Sequence, residues 1–159
     1  MFESFKNFFG VDTIKMVFNT LPAYPTDIAT INGELEFRAT SPKIIQQISI
    51  KLIETFSRGA GQTKKVDEYE LGFLQINERI EIQANQPQAV FFKLPFALLR
   101  SNVDKLADAN FLLKGMVNFA KSFKSVQSQY EIIAEALLEG SDLRPFAKKQ
   151  LIFDTNIKL

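Results

Sequence analysis

Apolar and polar residues alternate with a period of two along much of this chain, which predicts half-buried β-strands. In the cleanest case, every second residue from Ile31 to Phe37 is apolar or glycine and the residues between are polar. The other segments that predict strands are Ile14–Phe18, Ile44–Phe56, Val66–Ile76, Arg79–Gln83, Ala89–Phe96, Tyr130–Leu138 and Lys149–Phe153. Turn residues separate these segments, so we expect a mainly β fold, an antiparallel sandwich of two sheets.

Glycine and proline locate the irregular places in these strands. Gly33 lies inside an unbroken alternation, which favours a bulge or a close backbone approach over a hairpin turn. Residues 57–61 contain two glycines and predict a mobile connection. Pro22 and Pro25 bracket Tyr24, which indicates a loop or an edge segment, where lost N–H groups do little harm.

The faces of two strands follow from the same alternation. In the segment from Val66 to Ile76, one face is predicted to carry Tyr69, Leu71 and Phe73 and the other Glu68, Glu70 and Gly72. In the segment from Ile44, the predicted inner face continues to Glu54, and Ile53 interrupts the polar outer face. We therefore expect partial cover on both sides of that strand.

The first ten residues show a different period. Phe2, Phe5 and Phe9 are spaced as one face of a helix, and Gly10 is a plausible stop. A helix this short is not stable alone in water, so its aromatic face must rest on something. The favoured interpretation of residues 1–10 is an amphipathic leader docked on the protein's own core, and the alternatives are a membrane-surface anchor or a self-association contact.

Residues 101–125 also break the strand pattern and predict a helical insert. Ser101 and Asp104 have the spacing of a capping box. An apolar stripe at helical spacing follows, made by Leu112, Met116, Phe119 and Phe123. Gly115 weakens one continuous helix, which leaves open a pair of short helices, and a strand over residues 111–119 is the competing interpretation.

Three lysines without an intervening acid mark the same insert as a candidate contact. Lys114, Lys121 and Lys124 lie near exposed-face positions of the predicted helix, with phenylalanines beside them. This combination fits an acidic protein partner or a peripheral membrane contact. The favoured alternative is an amphipathic helix that only packs over one end of the sandwich.

Composition then limits the chemistry. The 159 residues are enough for a single domain, and 46% of them are hydrophobic. The net charge of +1 gives no bulk attraction for nucleic acid, and we predict no nucleic-acid partner. With no cysteine and no histidine, the usual zinc, copper or haem sites and the Ser-His or Cys-His nucleophile pairs are excluded. We predict no cofactor, no metal and no enzymatic activity.

The carboxylates that remain predict structural roles. Asp104 and Asp108 share one face of the predicted helix, where acids complement its positive N-terminal end. Glu34 and Glu36, like Glu78 and Glu81, are expected on solvated strand faces or strand ends, although a hydrolase that uses carboxylates stays an alternative. The absence of cysteine, of a signal peptide and of a long apolar run favours the cytoplasm.

Two motifs resemble those of a known fold family. The step Phe92-Lys93-Leu94-Pro95-Phe96 and the ending Tyr130-Glu131-Ile132-Ile133-Ala134 look like strands of an arrestin-like domain. The leader from Phe2 to Lys15 resembles that of the bacterial sporulation-control arrestin-like proteins. The resemblance spans nearly all of residues 1–159 as one domain, whereas full arrestins carry two, and the stretch between Pro95 and Tyr130 is longer and more helical than the loop usual there.

The resemblance implies an immunoglobulin-like sandwich that serves as an adaptor or scaffold. We therefore expect a non-enzymatic interaction protein whose protein partner and oligomeric state the sequence does not name. The surplus of 16 phenylalanines supports the alternative of a binder for lipid or another apolar ligand. Such a binder should contain a closed apolar cavity of several hundred cubic ångströms, on the order of known ligand pockets.

Overall fold

The structure, a computed structural model, describes residues 14–98 and 127–159. The predicted leader, residues 1–10, and the predicted insert, residues 101–125, lie outside the described residues, so both stay predictions. Within the described residues, the chain is almost entirely β-structure, and a single 3-10 turn at Gly61–Thr63 is its only helical element. The mainly β prediction is confirmed.

Nine strands form in this part of the chain, and most coincide with segments of alternating hydrophobicity. They are β1 (Ile14–Asn19), β2 (Ala23–Tyr24), β3 (Thr30–Ala39), β4 (Lys43–Arg58), β5 (Lys65–Ile76), β6 (Ile80–Ile82), β7 (Gln88–Pro95), β8 (Gln127–Leu138) and β9 (Phe146–Phe153). The connection predicted over residues 57–61 lies later, at residues 59–64, because Ser57 and Arg58 pair with β5. The last strand begins at Phe146, three residues before its predicted start.

The strands form two sheets in the described part of the chain. The smaller sheet has the order β1-β3-β7. The larger has the order β2-β9-β8-β4-β5, with β6 paired to one end of β4. Tyr24 lies in β2 at the edge of the larger sheet, one of the two alternatives that the flanking prolines left open. β2 pairs with β9 in parallel, while the other named pairs are antiparallel. The predicted two-sheet sandwich is confirmed.

The core lies between the sheets, because each strand directs its apolar set inward. Phe37 and Ile31 from the smaller sheet and Ile50 and Ile132 from the larger are fully buried. Burial of such side chains removes apolar surface from water and contributes about 1.5–3 kcal/mol for each. The alternation seen in the sequence therefore reflects one core that the two sheets share.

Glu54 is the charged exception among the buried residues that the structure describes. Its side chain faces inward and is only 3% exposed, as the phase of β4 predicted. In the register it lies between Tyr69 and Tyr130, and the Tyr130 hydroxyl donates a hydrogen bond to Glu54 Oε1 at 3.3 Å. A buried carboxyl group needs such a donor, since an unpaired one would be costly to desolvate.

Gly33 makes a close approach without a bulge. The register of β3 with β7 is continuous through Gly33, and the pairing of β3 with β1 is regular up to the next residue, Glu34. A Cβ atom there would lie 2.4 Å from Thr20 Cγ2 and 2.5 Å from Phe92 Cζ, so the ring of Phe92 occupies the space above the glycine. The predicted bulge is wrong, and the close approach is made by side chains instead of backbone.

The predicted faces of β5 are wrong beyond Leu71 because a β-bulge interrupts the strand. Leu52 pairs with Gly72, but the next residue of β4, Ile53, pairs with Glu70. Leu71 is thus the extra residue, and the alternation changes phase around it. Gly72 turns inward and Phe73 turns outward, the reverse of the sequence prediction, while Leu71 is buried as predicted.

Aromatic rings close the sandwich where β2, β8 and β9 meet. The ring of Phe153 lies 4.9 Å from that of Tyr130, 5.3 Å from that of Phe96 and 6.0 Å from that of Tyr24. Tyr24 is almost fully buried. Burial raises the pKa of the Tyr24 phenol above its ordinary value, against smaller opposing effects of Leu21 and Thr20.

This burial predicts a late-titrating tyrosine. The neutral Tyr24 phenol is favoured in the folded state, so its contribution to stability is complete below about pH 10, the unfolded pKa, and is lost as the pH rises through the higher folded pKa. We expect a spectrophotometric pH titration of Tyr24→Phe to lack one of the late steps, above the ordinary pKa of tyrosine, that the unaltered chain shows. A Tyr69→Phe variant, which alters a more exposed ring, should keep that late step, and its loss in this control would contradict the assignment.

Candidate interaction surface

The outer face of the larger sheet combines apolar, acidic and basic side chains. We call it the grooved face and define it by the outward residues of four neighbouring strands: Ser49, Lys51, Ile53, Thr55, Glu68, Glu70, Phe73, Gln129, Glu131, Ile133, Glu135, Lys148 and Gln150. In the register, Phe73, Lys51, Ile133 and Lys148 form one row across the four strands. Apolar and cationic side chains therefore alternate across the sheet in this row.

Two shallow depressions lie on this face. One has a volume of about 280 Å³ and runs beside Ile53, Glu131 and Lys148. The other has a volume of about 270 Å³ and lies beside Phe73 and Glu135. Lys51 and Ile133 line both, so the two depressions are neighbouring parts of one surface. Both are open to solvent and bordered by charged groups, which suits side chains of a macromolecule better than an enclosed small ligand.

Ion pairs fix the charged rim of the grooved face. Lys148 Nζ lies 3.5 Å from Glu131 Oε1. Arg144 Nη1, from the loop before β9, donates to Glu135 Oε1 at 3.1 Å. Such exposed pairs contribute little stability, about 0–1 kcal/mol each, but they orient the charges around the apolar residues.

The bulge at Leu71 explains why the sequence prediction missed this surface. Phe73, predicted to face the core, is 49% exposed on the grooved face. Ile53, which interrupts the outer polar face of β4, lies half-buried in the same surface. A signal for the bulge was present, because apolar residues change from odd positions at Tyr69 and Leu71 to even positions at Leu74 and Ile76.

The outer face of the smaller sheet differs in character. Its centre carries Glu34, which accepts a hydrogen bond from Asn19 Nδ2 at 3.0 Å, and Glu36, which lies 2.6 Å from Arg38 Nε. Phe91 projects from this face with 77% of its surface exposed. The prediction that the two glutamates lie on a solvated strand face is confirmed. Phe91 lies on the opposite side of the sandwich from the grooved face, so it can serve as a control position.

The predicted contact residues cannot be placed on either surface. Phe2, Phe5, Phe9, Lys114, Lys121 and Lys124 lie outside the described residues, as do Asp104 and Asp108. In residues 14–98 and 127–159, no three acidic side chains gather as a cation site would require. Of the predicted strand-end acids, Glu81 forms an exposed ion pair with Arg79 at 2.6 Å.

The arrangement of the two sheets, with the Tyr130 strand in the middle of the larger one, is that of an arrestin-like β-sandwich. Among solved structures, the sporulation control protein Spo0M from Bacillus subtilis is similar, with a TM-score of 0.59 and 10% sequence identity. The match covers 91% of this chain and 50% of that chain, so this chain spans about half the length of the solved protein. The predicted resemblance to sporulation-control arrestin-like proteins is confirmed at the level of the fold.

No family model matches this sequence, and no curated protein matches it either. One fold can serve many functions, so the likeness to Spo0M indicates the fold of this chain but not its binding partner. Among the described residues, no helix has both the length and the apolar character needed to cross a bilayer. The surfaces of this chain are therefore what indicates its function.

Proposed function

We propose that this chain is a non-enzymatic interaction domain of the arrestin-like type, which binds a protein partner through the grooved face. Domains with this fold generally act without catalysis. The observation that carries the proposal is the row Phe73–Lys51–Ile133–Lys148, where apolar and cationic groups alternate within one contiguous surface. Protein interfaces combine apolar anchors with a charged rim in this way.

The charges on the grooved face define the partner's chemistry. Lys51 lies between two apolar neighbours and projects into solvent, whereas Glu131 and Glu135 each have a cationic neighbour. A partner segment with an apolar side chain for the depressions, an acidic group for Lys51 and a basic group for Glu68 and Glu70 would match this pattern. Such electrostatic matching contributes chiefly to orientation and to the rate of association.

The alternatives of an apolar-ligand binder and a carboxylate hydrolase gain no support from the described residues. Both depressions are open and lie outside the sandwich, and charged side chains border each one. Between the sheets, the described core is filled by side chains such as Phe37, Leu35 and Leu94. The protein-binding interpretation is the one that a specific surface favours.

Residues outside the described part extend the proposal. The basic residues Lys114, Lys121 and Lys124 would supply a second contact, for an acidic partner or a membrane surface, and Phe2, Phe5 and Phe9 would anchor the leader. We place this function in the cytoplasm, on the strength of the cysteine-free composition.

Paired phenylalanine variants test the use of the grooved face. The partner is first identified by crosslinking and affinity capture from the native cell, and its binding to the purified chain is then measured by calorimetry. Phe73→Ala is expected to weaken this binding by about tenfold or more, because truncation of an interface anchor costs about 1–2 kcal/mol or more. Phe91→Ala, the same change on the opposite side of the sandwich, should leave the affinity unchanged.

The control variant separates binding from folding. Both phenylalanines are substantially exposed, so each substitution should lower the free energy of unfolding by no more than about 0.5 kcal/mol. The melting temperature of each variant should therefore stay within a few degrees of that of the unaltered chain. Equal affinity of Phe73→Ala and the unaltered chain would contradict the proposed surface. A stronger loss with Phe91→Ala would move the interface to the smaller sheet.

A further inference from the structure

The outer edge of β5 lacks a strand neighbour among the described residues. β5 ends the larger sheet, with β4 on its inner side. The Ala97 N–H group donates to the Leu71 carbonyl at 3.1 Å, which covers the edge near the bulge. Residues 64–68 lie away from that contact and carry mostly exposed side chains. An uncovered edge offers backbone N–H and C=O groups to another strand, so its side chains decide which strand fits.

The charges along this edge change from positive to negative at Val66. Lys64 and Lys65 precede Val66, and Asp67 and Glu68 follow it. When such a strand runs antiparallel to a copy of itself, its basic half lies beside the acidic half of the copy. Opposite charges in directly facing positions stabilise a strand pair, and like charges destabilise it.

A two-fold axis through Val66, perpendicular to the sheet, gives this match. Lys65 then faces Asp67 of the second copy, and Lys64 faces Glu68 of the second copy. In each pair the two facing side chains project from the same side of the sheet, because the paired positions differ by an even number of residues. The Val66 side chain, 54% exposed in the single chain, would pack against Val66 of the second copy at the centre of the contact.

Other registers of the same kind are poorer. An axis through Lys65, Asp67, Glu68 or Glu70 places that charged residue against itself. An axis through Tyr69 places the two glutamates on either side of it against each other. Only the axis through Val66 gives each charged residue of 64–68 a partner of opposite sign.

The inner neighbour of Lys65 also favours the register centred on Val66. In the register with β4, Lys65 lies directly opposite Arg58, a like-charge pair. The Asp67 carboxylate lies 3.7 Å from the Arg58 guanidinium, so this acid is engaged with Arg58, and Lys65 keeps a like-charged neighbour. A second copy would bring another acid to the open side of Lys65 and relieve this imbalance.

We propose that this chain associates with a second copy of itself through antiparallel pairing of the two β5 edges, in the register centred on Val66. The larger sheets of the two copies then continue into each other. Because the axis is perpendicular to the sheet, both grooved faces lie on the same side of the pair. The contact is short and its ion pairs are exposed, so the association weakens as salt increases.

Charge-swap variants test the register. The self-association constant of the full chain is measured by sedimentation equilibrium at low and at high salt. Lys65→Glu and Asp67→Lys should each weaken self-association by about tenfold or more, since each places like charges in two symmetric positions, and tenfold corresponds to about 1.4 kcal/mol. The double variant Lys65→Glu/Asp67→Lys should restore it.

Mixing supplies the decisive measurement. An equimolar mixture of the two single variants should associate, because every facing pair in the mixed dimer again has opposite charges. Lys93→Glu, a matched change on an exposed position of β7, should leave self-association unchanged. Circular dichroism melts check that all variants are folded. A chain that stays monomeric near 1 mM, roughly the weakest affinity that such methods resolve, overturns the proposal, and so does dimerisation that the single variants and their mixture do not alter.

Discussion

Phe37→Ala is expected to lower the free energy of unfolding by about 3–5 kcal/mol, the range for removal of a large buried aromatic side chain. Phe37 has no exposed surface and lies in the central strand of the smaller sheet, between Met16 of β1 and Gln88 of β7 in the register. The structure around it is a continuous ladder that cannot easily collapse into the cavity. Urea denaturation followed by circular dichroism measures the loss.

Phe91→Ala is the matched control for this variant. Phe91 lies in the neighbouring strand of the same sheet but faces solvent, so its truncation should change the free energy of unfolding by no more than about 0.5 kcal/mol. A cost below about 1 kcal/mol for Phe37→Ala would contradict the placement of the core between the two sheets. A large cost for Phe91→Ala would show that its face is covered in solution.

Alternation predicted the fold well where a strand has one buried face. β3 and β8 each bury every second residue over most of their length, so a period of two in the sequence reports their position directly. Pro22 and Pro25 indicated a loop or an edge segment around Tyr24, and the structure has the edge strand β2 there. These features depend on residues close together in the chain.

The candidate interaction surface depends on distant pairing, which the sequence pattern did not resolve. Whether Phe73 faces the core or solvent is decided by the extra residue at Leu71, and this extra residue is defined only relative to β4. The order of the strands is likewise a property of the whole sheet. Thus the edge of β5, which has no strand neighbour within residues 14–98 and 127–159, and the row through Lys51 and Ile133 could be recognised only after the strands were placed beside one another.

Gly72 is the residue that allows this bulge to lie against the other sheet. A Cβ atom at Gly72 would lie 2.4 Å from the Pro95 carbonyl oxygen and 2.8 Å from Phe96 Cβ. The first of these contacts is with backbone, which cannot rotate away as a flexible side chain would. Alanine at this position must therefore push apart β5 and the end of β7, next to the hydrogen bond from Ala97 to Leu71.

Gly72→Ala is accordingly expected to destabilise the fold by about 2–3 kcal/mol, near the upper range for an overpacked interior. The amide of Ala97 should also exchange its hydrogen much faster than in the unaltered chain, because its acceptor moves. Gly61→Ala is the comparison: nothing lies within 4 Å of the added atom, and the positive φ of 60° alone should cost about 1 kcal/mol. If both substitutions cost the same and Ala97 exchange is unchanged, the bulge does not hold β5 against β7, and the outward position of Phe73 loses its physical basis.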